Sequence, residues 1–271
     1  MTLISIPHAL QGLRQHNAVL VTVLQVQGSA PRPSGTCMLV LEQTFAGTIG
    51  GGHLEHQAQA HARRLLAGQT TERTLRMPLG PSLGQCCGGV VQLGFEIVSA
   101  ADAPRVEHAL RPARTPLALF GGGHVGRAIV NTLAPLPYAV RWIDSRDGIF
   151  PDEVPEGVDC EHSSPVQAAV GDLASGSCVL IMSFSHAEDL DIVMACLRRI
   201  RERNDLPFVG LIGSKTKWAT FSHRLQERGF APGEIARITC PIGIPGIPGK
   251  EPEVIAIAVA AQLLSQPPAS A

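Results

Sequence analysis

The sequence predicts an α/β protein in which a C-terminal Rossmann-type, doubly wound parallel sheet follows a smaller N-terminal α+β domain. Two observations carry that expectation. From about Pro116 onward, apolar strands alternate with polar or amphipathic stretches, the pattern of a parallel sheet covered on both faces. The strand that starts at Leu117 also runs directly into G-x-G-x-x-G and then a helix, the order that a phosphate-holding loop requires. With 271 residues and 45% hydrophobic content, the chain supplies apolar surface for two cores. The expected division is residues 1–100 for the α+β domain, 101–115 for a linker and 116–271 for the Rossmann-type domain.

In the first domain, Ala18 to Val26 and Cys37 to Leu41 are short runs rich in Val, Leu and Met, separated by the Gly/Pro/Ser segment from Gly28 to Gly35; they read as two strands and a loop. After Gly50-Gly51-Gly52, the spacing of Leu54, Ala58, Ala62 and Leu65 predicts one apolar face of a helix. Thr71 to Met77 and Val90 to Val98 read as further strands. Residues 99–116 hold prolines, alanines and mixed charge, and are expected to connect the domains through a weak helical turn or two. Beyond them the strands are LALFG, AVRWID, CVLIMSF and FVGLIG, and the chain's last helix is VIAIAVAAQLL.

Composition narrows the function classes. Lys plus Arg number 22 against 23 Asp plus Glu, so the formal charge of -1 supplies no basic field for nucleic acid or an anionic membrane. No run approaches the roughly 18 apolar residues of a membrane span, and the N-terminus lacks a charged segment followed by an apolar one; the expected location is the cytoplasm. The seven cysteines show no CxxC spacing for structural zinc and read mostly as reduced core thiols. Cys86-Cys87 is the exception, because Gly84 and Gly88-Gly89 place that pair in loop-like sequence.

The phosphate-loop motif is Gly121-Gly122-Gly123-His124-Val125-Gly126. Glycines at 121, 123 and 126 permit the tight turn, close backbone approach to a pyrophosphate, and helix-on-sheet packing. Free N–H groups at the helix start face the anion. Asp144 ends the second strand, 18 residues past Gly126, near the position from which a carboxylate reaches a ribose hydroxyl. Arg146 either reaches a 2′-phosphate or pairs with Asp144, so the choice between NAD and NADP stays open. His124 either donates to an oxyanion or faces solvent. The competing reading keeps the glycines for packing alone, with no ligand.

Three segments of the first domain are unusually rich in glycine: GSAPRPSGT at 28–36, GTIGGGHLE at 47–55 and LGQCCGG at 83–89. They suggest a shared site. Gly50 to Gly52 before a helix form a second candidate anion cradle, with Glu55 in that helix's first turn and Arg32 the one cation of the first loop. Thiolates at Cys86 or Cys87 near helix-end amides would have lowered pKa values and bind soft metal or sulfur species; the alternative is an inert pair. Ser214, Lys215 and Lys217 follow a strand's carboxyl end, where doubly wound sheets place ligands, so Lys215 is either a phosphate partner or a solvated loop lysine. The Pro/Gly-rich segment PIGIPGIPGKEPE prescribes a rigid loop suited to recognition, and Cys240 just before it reads as a buried thiol.

These segments, read with DSRDGIF, GLIGSKTKWATF and CPIGIPGIPGKEPEVIAIAVAAQLL, resemble the xanthine dehydrogenase accessory protein family (XdhC/CoxI) from about Ala18 to Leu264. The resemblance implies a cytoplasmic chaperone rather than a catalyst. Such a protein binds the molybdenum cofactor (molybdopterin), protects it while a cysteine desulfurase supports its sulfuration, and delivers it to apo xanthine dehydrogenase. Residue by residue, it implies that Gly50, Gly51, Gly52, Glu55, Cys87, Gly88 and Gly89 belong to the first domain's signature, with Cys86 extending it. Cys86 or Cys87 is then the expected contact to molybdenum or sulfur. Gly121, Gly123, His124, Gly126, Asp144 and Arg146 fall on the nucleotide-fold motif. Ser185-His186 stands where relatives commonly carry Thr-His, and His53 occupies a variable place.

On that footing the cofactor is expected between the domains, with its phosphate on a glycine loop and its metal near Cys86 or Cys87. Two other functions fit the loop: an NAD(P)-dependent oxidoreductase using His186 for proton transfer, and an NAD-sensing regulatory domain without chemistry. A homodimer is the default assembly for a soluble chain of this kind.

Overall fold

The run AVLVTV in the strand that begins at Ala18 is apolar at consecutive positions, which a strand tolerates only when both faces are covered. The computed structural model, which describes residues 2–79, 88–111 and 114–266, shows that arrangement. The chain divides into two compact units, Met1–Pro112 and Ala113–Ala271.

The first unit runs β1 (Thr2–Leu3), α1 (Ile6–Leu13), β2 (Ala18–Gln27), β3 (Cys37–Val40), β4 (Thr44–Gly47), α2 (Gly52–Leu66), β5 (Thr74–Pro78), β6 (Val90–Val98) and α3 (Ala103–Leu110). Its sheet has the order β1-β4-β3-β2-β6-β5, antiparallel throughout except for the parallel β1–β4 pair. On one face, Val19, Val21 and Val23 of β2 pack with Leu54, Ala58, Ala62 and Leu65 of α2, the stripe expected from sequence. On the other, Ala18 and Leu20 pack with Leu13 of α1 and with Val106 and Leu110 of α3.

The presence of α3 corrects the reading of residues 101–115 as a linker. Ser99 and Asp102 start the segment, with the Ser99 amide donating to the Asp102 carboxylate at 2.9 Å. Pro104 sits in the helix's first turn, where its missing N–H costs nothing. Val106 and Leu110, four residues apart, then bury one side of the helix in the first unit's core. The proline and alanine content that suggested a connector is equally the composition of a helix start.

The second unit contains β7 (Thr115–Phe120), α4 (His124–Leu133), β8 (Tyr138–Asp144), β9 (Val158–His162), β10 (Cys178–Ile181), α5 (His186–Arg203), β11 (Phe208–Leu211), α6 (Lys215–Glu227), α7 (Pro232–Ile235), β12 (Ile238–Thr239) and α8 (Pro252–Leu264). All its strands are parallel, in the order β12-β11-β10-β7-β8-β9. This is the predicted Rossmann-type sheet. Residues alternate across it: Ala118 and Phe120 enter the core with α5 and α6, while Leu117 and Leu119 enter the core with α4 and α8. Because β7 lies between β8 and β10, the strand order reverses there, and the carboxyl ends of β7 and β10 are the place where open α/β sheets hold ligands.

Arg199 braces the far end of this unit. It is 5% exposed and makes two bonds to Asp205, at 3.0 and 2.7 Å, while also donating to the carbonyls of Val170 and Leu173. The guanidinium's bonds hold the Asp205 carboxyl below its ordinary value of 3.8, outweighing the opposing effect of burial. Arg199→Met leaves Asp205 and the two carbonyls without partners and is expected to cost about 3–5 kcal/mol in urea unfolding. Because the Asp205 value is lowered in the folded state, the wild-type contribution is full above the ordinary carboxylate range and fades as pH falls through the lower folded value. A wild-type minus variant difference that stays constant from neutral pH to pH 2 contradicts that assignment.

Candidate functional site

At the carboxyl end of β7 the chain turns through Gly121, Gly122 and Gly123 into α4. The Gly121 amide donates to the Ile143 carbonyl at 2.8 Å, and the Gly122 amide to Asp144 Oδ2 at 2.6 Å. A Cβ on Gly126 would overlap the Gly121 carbonyl oxygen, so α4 seats on the turn at a distance only glycine allows. Gly123 is the open member: it is exposed, with nothing within 4 Å of a Cβ built there. The amides of the first α4 turn, beginning with His124, have no acceptor within the helix. His124 itself is exposed.

Asp144 lies inward at the end of β8, its side chain 1% exposed. Oδ1 accepts from the Arg146 amide at 2.8 Å and from Arg146 Nε at 3.0 Å; Oδ2 accepts from Arg146 Nη2 at 2.9 Å and from Gly122. Four donors fill the roughly four lone-pair positions of a carboxylate. Burial pushes its pKa upward, but the Arg146 side-chain bonds, with the Gly122 and Arg146 amides, outweigh burial and hold the group below the ordinary carboxylate value. Of the two roles open to Arg146 from sequence, the structure displays the ion pair.

Residues that the sequence did not single out surround this pair. The Arg146 guanidinium lies over the Phe184 ring, 4.7 Å from its centroid, and Phe184 is 66% exposed. Ser145 Oγ donates to Glu188 Oε1 at 2.7 Å, whereas Glu188 Oε2 is out of solvent with no hydrogen-bond partner among the described residues. Ser185 caps α5 by accepting from the Glu188 amide at 3.2 Å. That S-x-x-E spacing was the available sequence signal for Glu188.

A second network sits where β10 and β11 end. Asp189 is 2% exposed and accepts from the Ser183 amide and hydroxyl at 2.9 and 2.7 Å and from Lys217 Nζ at 2.7 Å. Lys217 also donates to the Ile212 carbonyl at 2.9 Å. It is therefore Lys217 that the fold draws inward, while Lys215 is exposed. Burial pushes the nearby Cys240 thiol up to about 11, with Lys217 opposing and Asp189 reinforcing the shift. His186 is exposed and meets the Phe221 ring edge-on at 6.3 Å.

In the first unit, the turn before α2 has positive φ at Gly50, Gly51 and Gly52, and the anion it holds is internal. Glu55 Oε2 accepts from Thr48 Oγ1 at 2.5 Å and from the amides of Ile49 and Gly51, each at 3.1 Å; the Gly50 amide donates to Thr48 Oγ1 at 3.1 Å. Glu55, expected among the cofactor-binding residues, thus organises the turn. The three glycine-rich segments do converge. A Cβ on Gly50 would overlap Pro31, and one on Gly89 would overlap the carbonyl oxygen of Ser29, so the 28–31 loop lies against both. Gly88 is exposed and Gly89 buried. Arg32 is exposed in that loop, and His53 bonds Gln57 at 2.8 Å. The expectations for Cys86 and Cys87 fall outside the described residues. Among those described, no group of three or more His, Cys, Asp or Glu side chains is placed to hold a metal ion, and no helix is long and apolar enough to cross a membrane.

Residues 117–263 match the family model of the XdhC Rossmann domain, and residues 13–77 match that of the XdhC and CoxI family. The uncharacterized protein YqeB of Escherichia coli (strain K12) is 28% identical over 255 residues, which is 90% of this chain; the chain spans only 42% of that relative's length. The crystal structure of a xanthine dehydrogenase (BH1974) from Bacillus halodurans shares the fold, with a TM-score of 0.76 at 20% identity, covering 97% of this chain and 96% of that one.

The geometry separates packing glycines from open ones. Gly126→Ala must push α4 off the turn and is expected to cost about 1–3 kcal/mol in urea unfolding, while Gly123→Ala stays within about 0.5 kcal/mol of wild type. Equal losses at the two positions would refute the distinction. In the first unit, Glu55→Ala orphans the Ile49 and Gly51 amides and is expected to cost about 1–3 kcal/mol; an unchanged unfolding midpoint counts against an internal role for this carboxylate.

Proposed function

Because the chain belongs to the XdhC and CoxI family, with residues 117–263 matching its XdhC Rossmann domain, we propose that it is a maturation factor for xanthine dehydrogenase. It carries the molybdenum cofactor as cargo, shields it while a cysteine desulfurase supplies the terminal sulfur, and hands it to the apo-enzyme. The protein itself is a carrier and no catalyst.

The observation that carries this reading is the convergence in the first unit. Three segments distant in sequence meet through glycine-only approaches at Gly50 and Gly89, and Cys86-Cys87 immediately precede Gly88-Gly89 in sequence. The cargo offers a phosphate, a pterin with many hydrogen-bonding edges, and a soft oxo- or sulfido-molybdenum centre. Backbone amides suit the first two, and a thiolate suits the last. Glu55 limits the part of the glycine turn open to a ligand, since it already occupies the Ile49 and Gly51 amides. That leaves the first-turn amides of α2, which have no acceptor within the helix.

An NAD(P)-dependent oxidoreductase or an NAD sensor is the weaker reading. With NAD, both need Asp144 to accept a ribose hydroxyl, and its oxygens already receive four donors; with NADP, Arg146 has to leave that carboxylate for the 2′-phosphate.

The test is activation of apo xanthine dehydrogenase by molybdenum cofactor, with and without the full-length protein, beside a titration with NADH and NADPH. Faster or more complete activation in its presence, with no saturable nicotinamide binding in the micromolar range, is the expected result. Nicotinamide binding with no effect on activation overturns the proposal. The Cys86→Ala/Cys87→Ala double variant is expected to lose most of the activation; full activity in that variant removes the thiols from the mechanism.

A further inference from the structure

We propose that the first unit holds a binding site for a small organic anion, a carboxylate or phosphate on an apolar body, in the cavity at the carboxyl end of α2. The inference stands apart from the maturation reading and uses residues that reading does not.

The cavity measures about 640 Å³, within the roughly 300–1,000 Å³ typical of small-molecule sites. It is formed wholly within the first unit, by the connection from α1 to β2, the turn from β3 to β4, and the last turn of α2 with the residues that follow it. Leu41 and Leu66 supply apolar lining, Arg63 and Arg64 supply two guanidinium groups, and Glu42 is the one carboxylate among the described residues that line it. Two cations against one anion favour a negatively charged ligand, and the leucines favour one with an apolar part. The 15 residues of α2 span about 22 Å. The cavity is therefore separate from the glycine turn at the helix's other end.

Arg64 carries the assignment. The partial negative charge at a helix carboxyl end draws basic residues, which accounts for Arg63 and Arg64 in the last turn of α2. It does not account for the way Arg64 is held. His61, one turn earlier, is only 2% exposed and packs against the Phe95 ring with centroids 4.5 Å apart. Its Nε2 lies 2.9 Å from the Glu72 carbonyl oxygen, which can only accept, so Nε2 carries the proton and the neutral ring presents Nδ1 as an acceptor. Arg64 Nη2 donates to that Nδ1 at 3.3 Å. A buried imidazole thus engages one of the five N–H groups of an otherwise exposed guanidinium and leaves the others for a ligand. Orientation before binding reduces the side-chain entropy lost when the anion arrives. Carboxylate and phosphate oxygens are the acceptors that the planar guanidinium matches.

The probe is the fluorescent anion anilinonaphthalenesulfonate, titrated into the full-length protein beside its uncharged analogue phenylnaphthylamine. Saturable binding of the sulfonate at a single site per chain, tighter than that of the neutral dye, is the expected result. Arg64→Gln removes the oriented charge and is expected to weaken sulfonate binding about 10- to 100-fold, the loss of a hydrogen bond to a charged group. Ala67→Trp fills the cavity from an exposed position and is expected to abolish binding. Both substitutions sit at exposed positions, so thermal melting of the variants is expected to match wild type. Benzoate and phenyl phosphate, which share one apolar body, are expected to displace the dye, and the stronger competitor identifies the head group. Absence of saturable binding, equal affinity for the two dyes, unchanged affinity in either variant, or no displacement by either competitor each overturns the proposal.

Discussion

Glu55 and Asp144 play the same physical part in the two units: each is a carboxylate turned back onto the amides of a glycine turn. Glycine turns expose backbone N–H groups that must find an acceptor when the turn is drawn out of water. In the first unit that acceptor is Glu55 Oε2, shared by Thr48, Ile49 and Gly51. In the second it is Asp144 Oδ2, which takes the Gly122 amide while Arg146 neutralises the charge. Hydrogen bonds to a charged group contribute about 1.5–3 kcal/mol each, enough to fix the turn before any ligand arrives. The open amides that follow, at the first turns of α2 and α4, inherit their direction from these internal anions.

How much of this was legible in the sequence depends on the range over which each constraint acts. The parallel sheet followed from alternating strands and helices, and the seat of α4 from Gly126, because both are set by local pattern and by sterics that only glycine satisfies. The ion pair between Asp144 and Arg146 was one of two options left open by their two-residue spacing, and burial of the carboxylate decided between them. Glu55 was placed on the first turn of its helix and named among the cofactor-binding residues, and in the structure its Oε2 turns to Thr48, Ile49 and Gly51. Its inward role depends on the positive φ angles of Gly50 to Gly52, which bring Thr48 and Ile49 back over the helix end.

The residues that went unnoticed share a different property. Ser183, Phe184, Glu188 and Asp189 lie in and just after the turn that follows β10, and nothing in their spacing forms a recognised motif apart from the cap at Ser185. Their significance comes from strand order. Only when β10 is placed beside β7 does the Met182–Ser185 turn face the glycine loop, with Gly121 packed against the Met182 carbonyl. Lys217 illustrates the same point from the next strand: it and Lys215 are indistinguishable in sequence, yet the buried Asp189 selects Lys217.

Saturation of Asp144 also bears on what the Rossmann-type unit can discriminate. A dinucleotide bound in the usual way requires this carboxylate to accept a ribose hydroxyl, and here that means displacing at least one Arg146 bond. Losing one of the three Arg146 bonds gives up about 1.5–3 kcal/mol, and a new bond from a neutral hydroxyl to the same carboxylate returns a similar amount. The exchange is near balance, and it tips toward the ligand when the displaced Arg146, a third exposed, finds another anion such as a phosphate oxygen. A ligand that brings a flat ring and a phosphate but no ribose avoids the exchange altogether, since it can leave the Asp144–Arg146 pair intact. The Rossmann-type fold is thus present with its acidic residue holding the glycine loop and the arginine.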